Sequence, residues 1–225
     1  MTALVIAALS AREVSRRRVA LAIMVTLPLW FYLLRRNEEG QSVRMLALGM
    51  GWAISALTLF VVNAARGVDP RLRLTGASTL DVIGGRLLAL TGGGVALASA
   101  YWVLIEVDQG LNRPATGYLM MALTAVIAAP LGSLVAALLP RELEGALALL
   151  SICAVQMLAD PATLAAHLMP FWSFRELGTY VVNGADSSYL WQALAHAAVT
   201  WVICAGGTYA LFARRLRLPR YPEPS

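Results

Sequence analysis

The sequence predicts an all-α integral membrane protein with six transmembrane helices in a single domain, residues 1–225. Three observations support this fold class. Hydrophobic residues make up 59% of the chain and charged residues only 14%, whereas an ordinary soluble domain is about 25% charged. Several apolar runs approach the roughly 20 residues that a helix needs to cross a bilayer. These runs do not alternate in short segments, as the strands of a membrane β-barrel would.

Each apolar run is predicted to form one transmembrane helix. The six predicted spans are residues 19–34, 45–64, 87–105, 118–139, 143–159 and 190–213. Small residues recur four apart in three of them, at Ala47, Gly51 and Ser55, at Gly92, Ala96 and Ala100, and at Ala128, Gly132 and Ala136. Such stripes let helices approach closely. We expect them to pack within one bundle, with a dimer contact as the alternative for one of them.

The distribution of arginine predicts the orientation. All 18 basic residues are Arg, and cytoplasmic loops are enriched in basic residues. With six spans and both termini in the cytoplasm, 13 arginines lie inside: Arg12, Arg16, Arg17, Arg18, Arg66, Arg71, Arg73, Arg86, Arg141, Arg214, Arg215, Arg217 and Arg220. Five lie outside: Arg35, Arg36, Arg44, Arg113 and Arg175. The basic first outer loop, residues 35–44, is an exception to this rule.

The amino-terminal segment is predicted to form an interfacial helix. An apolar run, residues 4–9, precedes Arg12 and the triple arginine at residues 16–18. A signal peptide would carry its positive charge first and its apolar run second. We therefore expect a helix that lies at the membrane surface and turns into the first span. A frayed tail is the alternative.

The fifth span is short and is followed by a half-polar stretch. Its 17 residues make about 25 Å of helix, less than the roughly 30 Å of a hydrocarbon core. The residues of interest after it are Asp160, Pro161, His167, Pro170, Phe171 and Trp172. A broken helix at membrane depth must be buried in protein or line a cavity. We expect an outer re-entrant element here, and an ordinary outer loop with a surface helix is the alternative.

The longest polar and basic interval, residues 65–86, is predicted to offer a surface to a cytoplasmic partner. Asp69 and Pro70 indicate a turn, and Ser78 with Asp81 fits a capping box, so that a helix begins near Thr79. The residues predicted to bind the partner are Arg71, Leu72, Arg73, Leu74, Ser78, Leu80, Asp81 and Arg86. The arginines suit acidic groups and the leucines suit an apolar groove. Anchoring of these arginines on anionic lipid is the alternative.

The sequence offers little support for chemistry on this chain. A Walker A loop requires Lys, and the chain has none. Cys153 and Cys204 lie in separate apolar helices, so we predict neither a disulfide nor a metal site. No G-x-S-x-G motif surrounds a serine that could act with His167 or His196. We expect no catalytic residue, cofactor site or metal site, and the net charge of +5 indicates topology and contact with anionic lipid or an acidic partner, not nucleic acid.

The layout resembles the membrane subunits of type-2 ABC exporters. The resemblance is carried by Asp69-Pro70-Arg71-Leu72-Arg73-Leu74-Thr75-Gly76-Ala77 and Gly85-Arg86-Leu87-Leu88-Ala89-Leu90, which look like that family's coupling helix and the start of its third span. The basic segment through Arg18 looks like the family's connecting helix, and residues 160–172 look like its outer re-entrant hairpin. The resemblance implies a partnership with a second permease and with two ATPase subunits that hold ATP and Mg. It also implies a place in the bacterial cytoplasmic membrane.

Two function classes are compatible with these features. The first is the membrane half of an ATP-driven exporter whose substrate is hydrophobic or amphipathic, such as a drug, an antibiotic or a lipid-like molecule. The second is a non-transporting integral membrane protein, either an accessory subunit or an intramembrane enzyme. An ATPase encoded beside this chain would distinguish the two.

Overall fold

Helices carry all the regular secondary structure in the computed structural model, which describes residues 2–38, 40–160 and 163–217. Ten α-helices follow one another: α1 (Thr2–Arg16), α2 (Arg18–Leu34), α3 (Gln41–Ala64), α4 (Asp69–Leu74), α5 (Thr79–Asp108), α6 (Pro114–Leu138), α7 (Glu142–Leu158), α8 (Leu164–His167), α9 (Trp172–Val182) and α10 (Ser187–Arg215). A short 3-10 turn, Ala65–Gly67, extends α3. Pro161 and Arg220, which carried expectations from the sequence, lie outside the described residues.

Four helices are long and apolar enough to cross a membrane. They are α3 with its 3-10 extension, α5, α6 and α10. A fifth candidate span is the pair of α1 and α2, which are bent by 80° at Arg17. By themselves α2 and α7 have 17 residues each, fewer than the roughly 20 that a span requires. The chain is therefore all-α with four or five candidate spans, and the number six stays a prediction.

The helices α3 and α6 form the centre of the bundle. Buried residues make up 83% of the apolar window of α3 and 72% of that of α6, but only 28% for α5 and 22% for α10. The backbones of α3 and α6 touch at Gly132. A Cβ atom added there would lie 2.1 Å from the Ser55 carbonyl oxygen. The Ser55 hydroxyl donates a hydrogen bond to the Ala128 carbonyl across the same contact, at 2.9 Å.

Two of the three small-residue stripes are therefore used within the bundle, as expected. The third stripe lies on α5, where Gly92, Ala96 and Ala100 are all exposed. Nothing lies within 4 Å of the position that a Cβ atom would take at Gly92. This stripe does not contribute to the packing of the described residues.

The bundle has two ends, defined here by the loops that meet there. The upper end comprises the loops 35–40, 109–113 and 183–186, and the lower end comprises the loops 65–78 and 139–141 with the end of α10. At the lower end the Arg66 guanidinium donates to the Ala136 carbonyl, and Arg215 donates to the Arg66 carbonyl at 3.4 Å. These contacts join α6 and α10 to the loop that follows α3.

The helix α1 packs along the first turns of α5 at the lower end. A Cβ atom at Gly85 would lie 2.4 Å from the Ala3 carbonyl oxygen, and Ile6 is buried against Ala77 and Val82. The opposite face of α1 exposes Leu4, Val5 and Leu9. The predicted helix is present, but one of its apolar faces covers α5, which leaves only the other face for a membrane surface.

The arginines of the basic first upper loop all bind partners within the chain. Arg35 pairs with Glu38, and Arg36 pairs with Asp108 at the end of α5. Arg44 donates to the Asn183 side chain at 3.1 Å. The hydrogen bond from Arg36 to Asp108, followed by the negative charge of that carboxylate, raises the pKa of Arg36 above its ordinary value. The positive charge of this loop is therefore used to hold the upper ends of the helices together.

Candidate functional site

The loop between α3 and α5 is fixed by a buried ion pair. The Arg86 guanidinium donates to the Asp69 carboxylate at 2.8 Å. The Asp69 side chain is 0% exposed and that of Arg86 is 6% exposed. Because a buried charge without a partner is strongly unfavourable, this pair holds the start of α4 against the first turns of α5.

A helix-ending motif fixes the other end of α4. Gly76 has a φ of +91°, the left-handed conformation that glycine adopts without strain. The Ala77 N–H donates to the Leu72 carbonyl at 3.1 Å, and the Gly76 N–H donates to the Arg73 carbonyl at 3.2 Å. These two bonds are the Schellman pattern, and Leu72 packs with Ala77 in the small cluster beneath α1.

The start of α5 confirms the predicted capping box. The Ser78 hydroxyl accepts from the Asp81 N–H at 3.0 Å, and the Asp81 carboxylate accepts from the Ser78 N–H at 2.9 Å. The helix begins at Thr79, as the spacing of these two residues predicts. The Arg73 guanidinium closes the turn between α4 and α5 by donating to the Ala77 carbonyl at 2.6 Å.

The structure divides the eight predicted partner-binding residues into three groups. Arg71, Leu74, Ser78 and Leu80 are exposed, Leu72, Arg73 and Asp81 are partly buried, and Arg86 is buried. Leu74 is 76% exposed and Leu80 is 64% exposed, while the Arg71 side chain makes no hydrogen bond or ion pair with another described residue. We call Arg71, Leu74 and Leu80 the coupling surface. Arg86 is buried and binds Asp69 at the start of α4, so it holds α4 in place and is not available to a partner in this structure.

The second candidate region is the segment between α7 and α9, which inserts Phe171 into the bundle. Phe171 is 1% exposed. Its ring fills the space beside Gly51 of α3, where the Thr124 side chain of α6 also lies. Gly51 and Thr124 are each ten residues from the upper end of their helix, which corresponds to about 15 Å along the helix axis. The segment therefore reaches well below the upper end of the bundle.

An aromatic cluster holds the segment against α10. The Trp172 ring lies 4.6 Å from the His167 ring and 5.1 Å from the His196 ring, between ring centroids. The His196 Nε2 atom lies 2.9 Å from the His167 carbonyl oxygen. The buried Trp172 N–H has no acceptor among the described residues. His196 is nine residues, or about 14 Å, from the start of α10. It therefore lies about as far below the upper end of the bundle as Phe171 does.

The remaining outer residues have different roles. The Asp160 carbonyl accepts hydrogen bonds from the N–H and the hydroxyl of Thr163, and Pro170 is partly exposed. The next helix, α9, returns towards the upper end, where Val182 contacts Gly40. Glu176, for which the sequence indicated no role, is buried on α9 within electrostatic reach of Arg44 and Arg175.

The two histidines that were considered for catalysis, His167 and His196, contact each other and Trp172. The Ser151 hydroxyl donates to the Leu147 carbonyl at 2.9 Å, one turn back on its own helix. His196 contacts His167 through the carbonyl described above, and its Nδ1 atom lies 3.4 Å from the Thr200 hydroxyl. Cys153 and Cys204 are buried on α7 and α10. No protein-family model matches the chain, and no curated protein matches it.

Proposed function

We propose that the chain is the membrane-spanning subunit of an ATP-binding-cassette exporter in the bacterial cytoplasmic membrane. It moves a hydrophobic or amphipathic substrate outward, with ATP and Mg bound by a separate ATPase subunit and with a second permease beside it. The observation that carries the proposal is the coupling surface. A loop fixed between two candidate spans exposes two leucines, which can contact an apolar groove of a partner, and an unpaired arginine, which can bind an acidic group on it.

The distribution of unpaired arginines supports an orientation with the lower end in the cytoplasm. Among the described residues, the arginines whose side chains make no hydrogen bond or ion pair are Arg12, Arg16, Arg18, Arg71, Arg214 and Arg217, all at the lower end. Each of the five arginines assigned to the outside binds a partner within the chain. Basic residues favour the cytoplasmic side, and the unpaired ones all lie at the lower end, so we place both termini in the cytoplasm and α1 at that surface.

In this orientation α2 and α7 complete a set of six spans. The lower part of α7 packs on α3, because Gly145 contacts Leu59, and its 17 residues bring it about 25 Å towards the upper end. The segment that follows then descends to the depth of Phe171 and returns through α9. It forms a re-entrant element that closes the outer side of the pathway; of its described residues, Ala166 and Phe171 are buried in the bundle, whereas Leu164 and Leu168 are exposed.

The coupling surface is suited to transmit movement because it is joined to α5. A displacement of α4 by the ATPase acts on α5 through the Asp69–Arg86 ion pair and through the turn closed by Arg73. It also acts on α1, which packs against Ala77 and Val82. ATP hydrolysis on the partner is thereby linked to the position of two helices of the bundle.

The test is co-purification of the chain with an ATP-binding-cassette ATPase from the same genome. The double variant Leu74→Asp/Leu80→Asp should remove most of the bound ATPase without changing membrane insertion. The matched control is Leu33→Asp/Leu34→Asp, which changes two leucines that are 55% and 75% exposed at the upper end of α2, beside the polar loop that follows it. The proposal fails if the coupling-surface variant retains its ATPase, because Leu74 and Leu80 would then not contribute to binding it.

A further inference from the structure

A groove opens beside the bend between α1 and α2. It has a volume of about 590 Å³ and lies between α2 and α3. Arg16, Arg17 and Arg18 line one end of it, and Trp52 and Phe60 are among the apolar residues that line the rest. The volume lies in the range of roughly 300–1,000 Å³ that is typical of ligand sites. The groove therefore joins a cationic end to an apolar interior.

Two of the three arginines are free to bind a ligand. Arg17 pairs with Glu13 at 2.9 Å on the preceding turn. Arg16 and Arg18 are exposed, and their side chains make no hydrogen bond or ion pair with another described residue. A phosphate oxygen accepts charge-assisted hydrogen bonds from such guanidinium groups. The end of the groove thus has an unused capacity for one anionic group.

The register of α2 against α3 gives the length of the groove. Pro28 of α2 contacts Gly49 of α3, and the two helices are antiparallel. Arg18 lies about 15 Å below this contact and Phe60 about 17 Å below it, while Trp52 lies only about 5 Å below it. The apolar part therefore extends for about 10 Å from the level of the arginines into the bundle.

An occupant of this groove must be both anionic and apolar. A free phosphate would leave the apolar part empty, and a neutral lipid would leave Arg16 and Arg18 without a counter-charge. An anionic phospholipid has both features, and the surrounding bilayer supplies it.

We propose that the groove is a binding site for one anionic phospholipid. Its phosphate lies between Arg16 and Arg18, and an acyl chain lies along α2 and α3 towards Trp52. The proposal requires only that the chain is in a membrane and does not rest on the exporter function. A bound lipid would fix the bend at Arg17 and with it the position of α1 against α5.

The test is native mass spectrometry of the full chain purified in detergent. The chain is titrated with phosphatidylglycerol or with phosphatidylcholine of the same acyl composition, and the dissociation constant of the first bound lipid is measured. The wild-type chain should prefer phosphatidylglycerol. The variant Arg16→Gln/Arg18→Gln should weaken phosphatidylglycerol binding about tenfold or more and should abolish the preference.

Two further variants make the result specific to the groove. Arg214→Gln/Arg217→Gln removes the same charge from two exposed arginines elsewhere at the lower end and should leave the preference intact. Ile23→Trp narrows the groove at a wall residue that is 51% exposed, so the fold should tolerate it. We expect it to weaken the binding of both lipids by at least about threefold, a change of about 0.7 kcal/mol. Equal losses in the two arginine variants, or unchanged binding in Ile23→Trp, would overturn the proposal.

Discussion

Asp69 and Arg86 show how a single pair of residues fixes the coupling surface. They are 17 residues apart and form the most deeply buried ion pair of the described residues. A buried pair contributes little net stability compared with an apolar pair of the same volume, but loss of one member leaves an uncompensated charge. The pair therefore acts mainly to specify one position of α4, which the proposed coupling role would require.

The variant Asp69→Asn should lower the free energy of unfolding by about 3–5 kcal/mol, because it leaves the Arg86 charge buried without a counter-charge. The double variant Asp69→Leu/Arg86→Met removes both charges and should be less destabilised than the single variant. Thermal unfolding in detergent measures both changes. An exposed pair provides the control: Arg141→Gln, which breaks the contact with Glu144, should cost less than about 1 kcal/mol. Equal stability of Asp69→Asn and the wild-type chain would contradict the role given to the pair.

At the scale of single elements, helix packing depends on where a glycine has a neighbour. Gly132 of α6 and Gly92 of α5 both lie within apolar helices and small-residue stripes, but only Gly132 touches another backbone. The sequence alone does not distinguish the two stripes, because their spacing is the same. The distinction arises from tertiary packing, in which α6 is central and α5 is peripheral.

The substitution Gly132→Ala should destabilise the bundle by about 1–3 kcal/mol, because the new methyl group would overlap the Ser55 carbonyl and force α3 and α6 apart. Gly92→Ala is the matched control and should be neutral or slightly stabilising, since nothing lies near that position and alanine favours the helix. The midpoint of thermal unfolding distinguishes them. Equal effects of the two substitutions would show that α3 and α6 do not approach as described.

The segment between α7 and α9 gives a second test at the scale of elements. Trp172→Ala should impair export by removing the ring that lies between His167 and His196, while Pro170→Ala should impair it by loosening the turn that places Phe171. Both variants should assemble with the ATPase as the wild-type chain does, since the segment is distant from the coupling surface. Transport assays alongside co-purification measure the two effects. Full transport by both variants would reduce the segment to an ordinary loop.

Local chemistry was predictable from the sequence, and long-range pairing was not. The start of α5 at Thr79 follows from Ser78 and Asp81, which interact across three residues. By contrast, Arg86 was assigned to the partner surface because it lies at the end of the polar and basic interval 65–86, and no local pattern indicates its pairing with Asp69. The loop at residues 35–44 has more arginines than the rule for outer loops predicts. That excess was the one sign in the sequence that these arginines bind partners within the chain.

At the scale of the whole molecule, every described arginine whose side chain makes no hydrogen bond or ion pair lies at the lower end, although other arginines at that end, such as Arg66 and Arg86, are paired. The positive-inside rule counts basic residues and gives little weight to acidic neighbours, so the pairing shows how the upper arginines are used and does not itself set the orientation. The bundle therefore carries an open cationic surface at the lower end and a closed network of hydrogen bonds at the upper end.

Cysteine accessibility should confirm this orientation in intact cells. Cysteines introduced at Asn112 and Ser187, both exposed at the upper end, should react with a membrane-impermeant thiol reagent, whereas a cysteine at Ser78 should be protected until the cells are opened. The native Cys153 and Cys204 are buried, so the background should be low. External labelling at Ser78 would invert the topology and would remove the coupling surface from the cytoplasm.

The most direct test of the central claim is reconstitution of the chain in liposomes with an ATP-binding-cassette ATPase from the same genome. The measurement is ATP-dependent movement of an amphipathic fluorescent substrate across the membrane, with the ATPase on the side of the lower end. We predict movement away from the ATPase that requires Mg-ATP and that is lost, together with the stimulated ATP hydrolysis, in Leu74→Asp/Leu80→Asp. If the wild-type complex forms but ATP hydrolysis moves no substrate, or if the coupling-surface variant transports as the wild-type chain does, the account is contradicted.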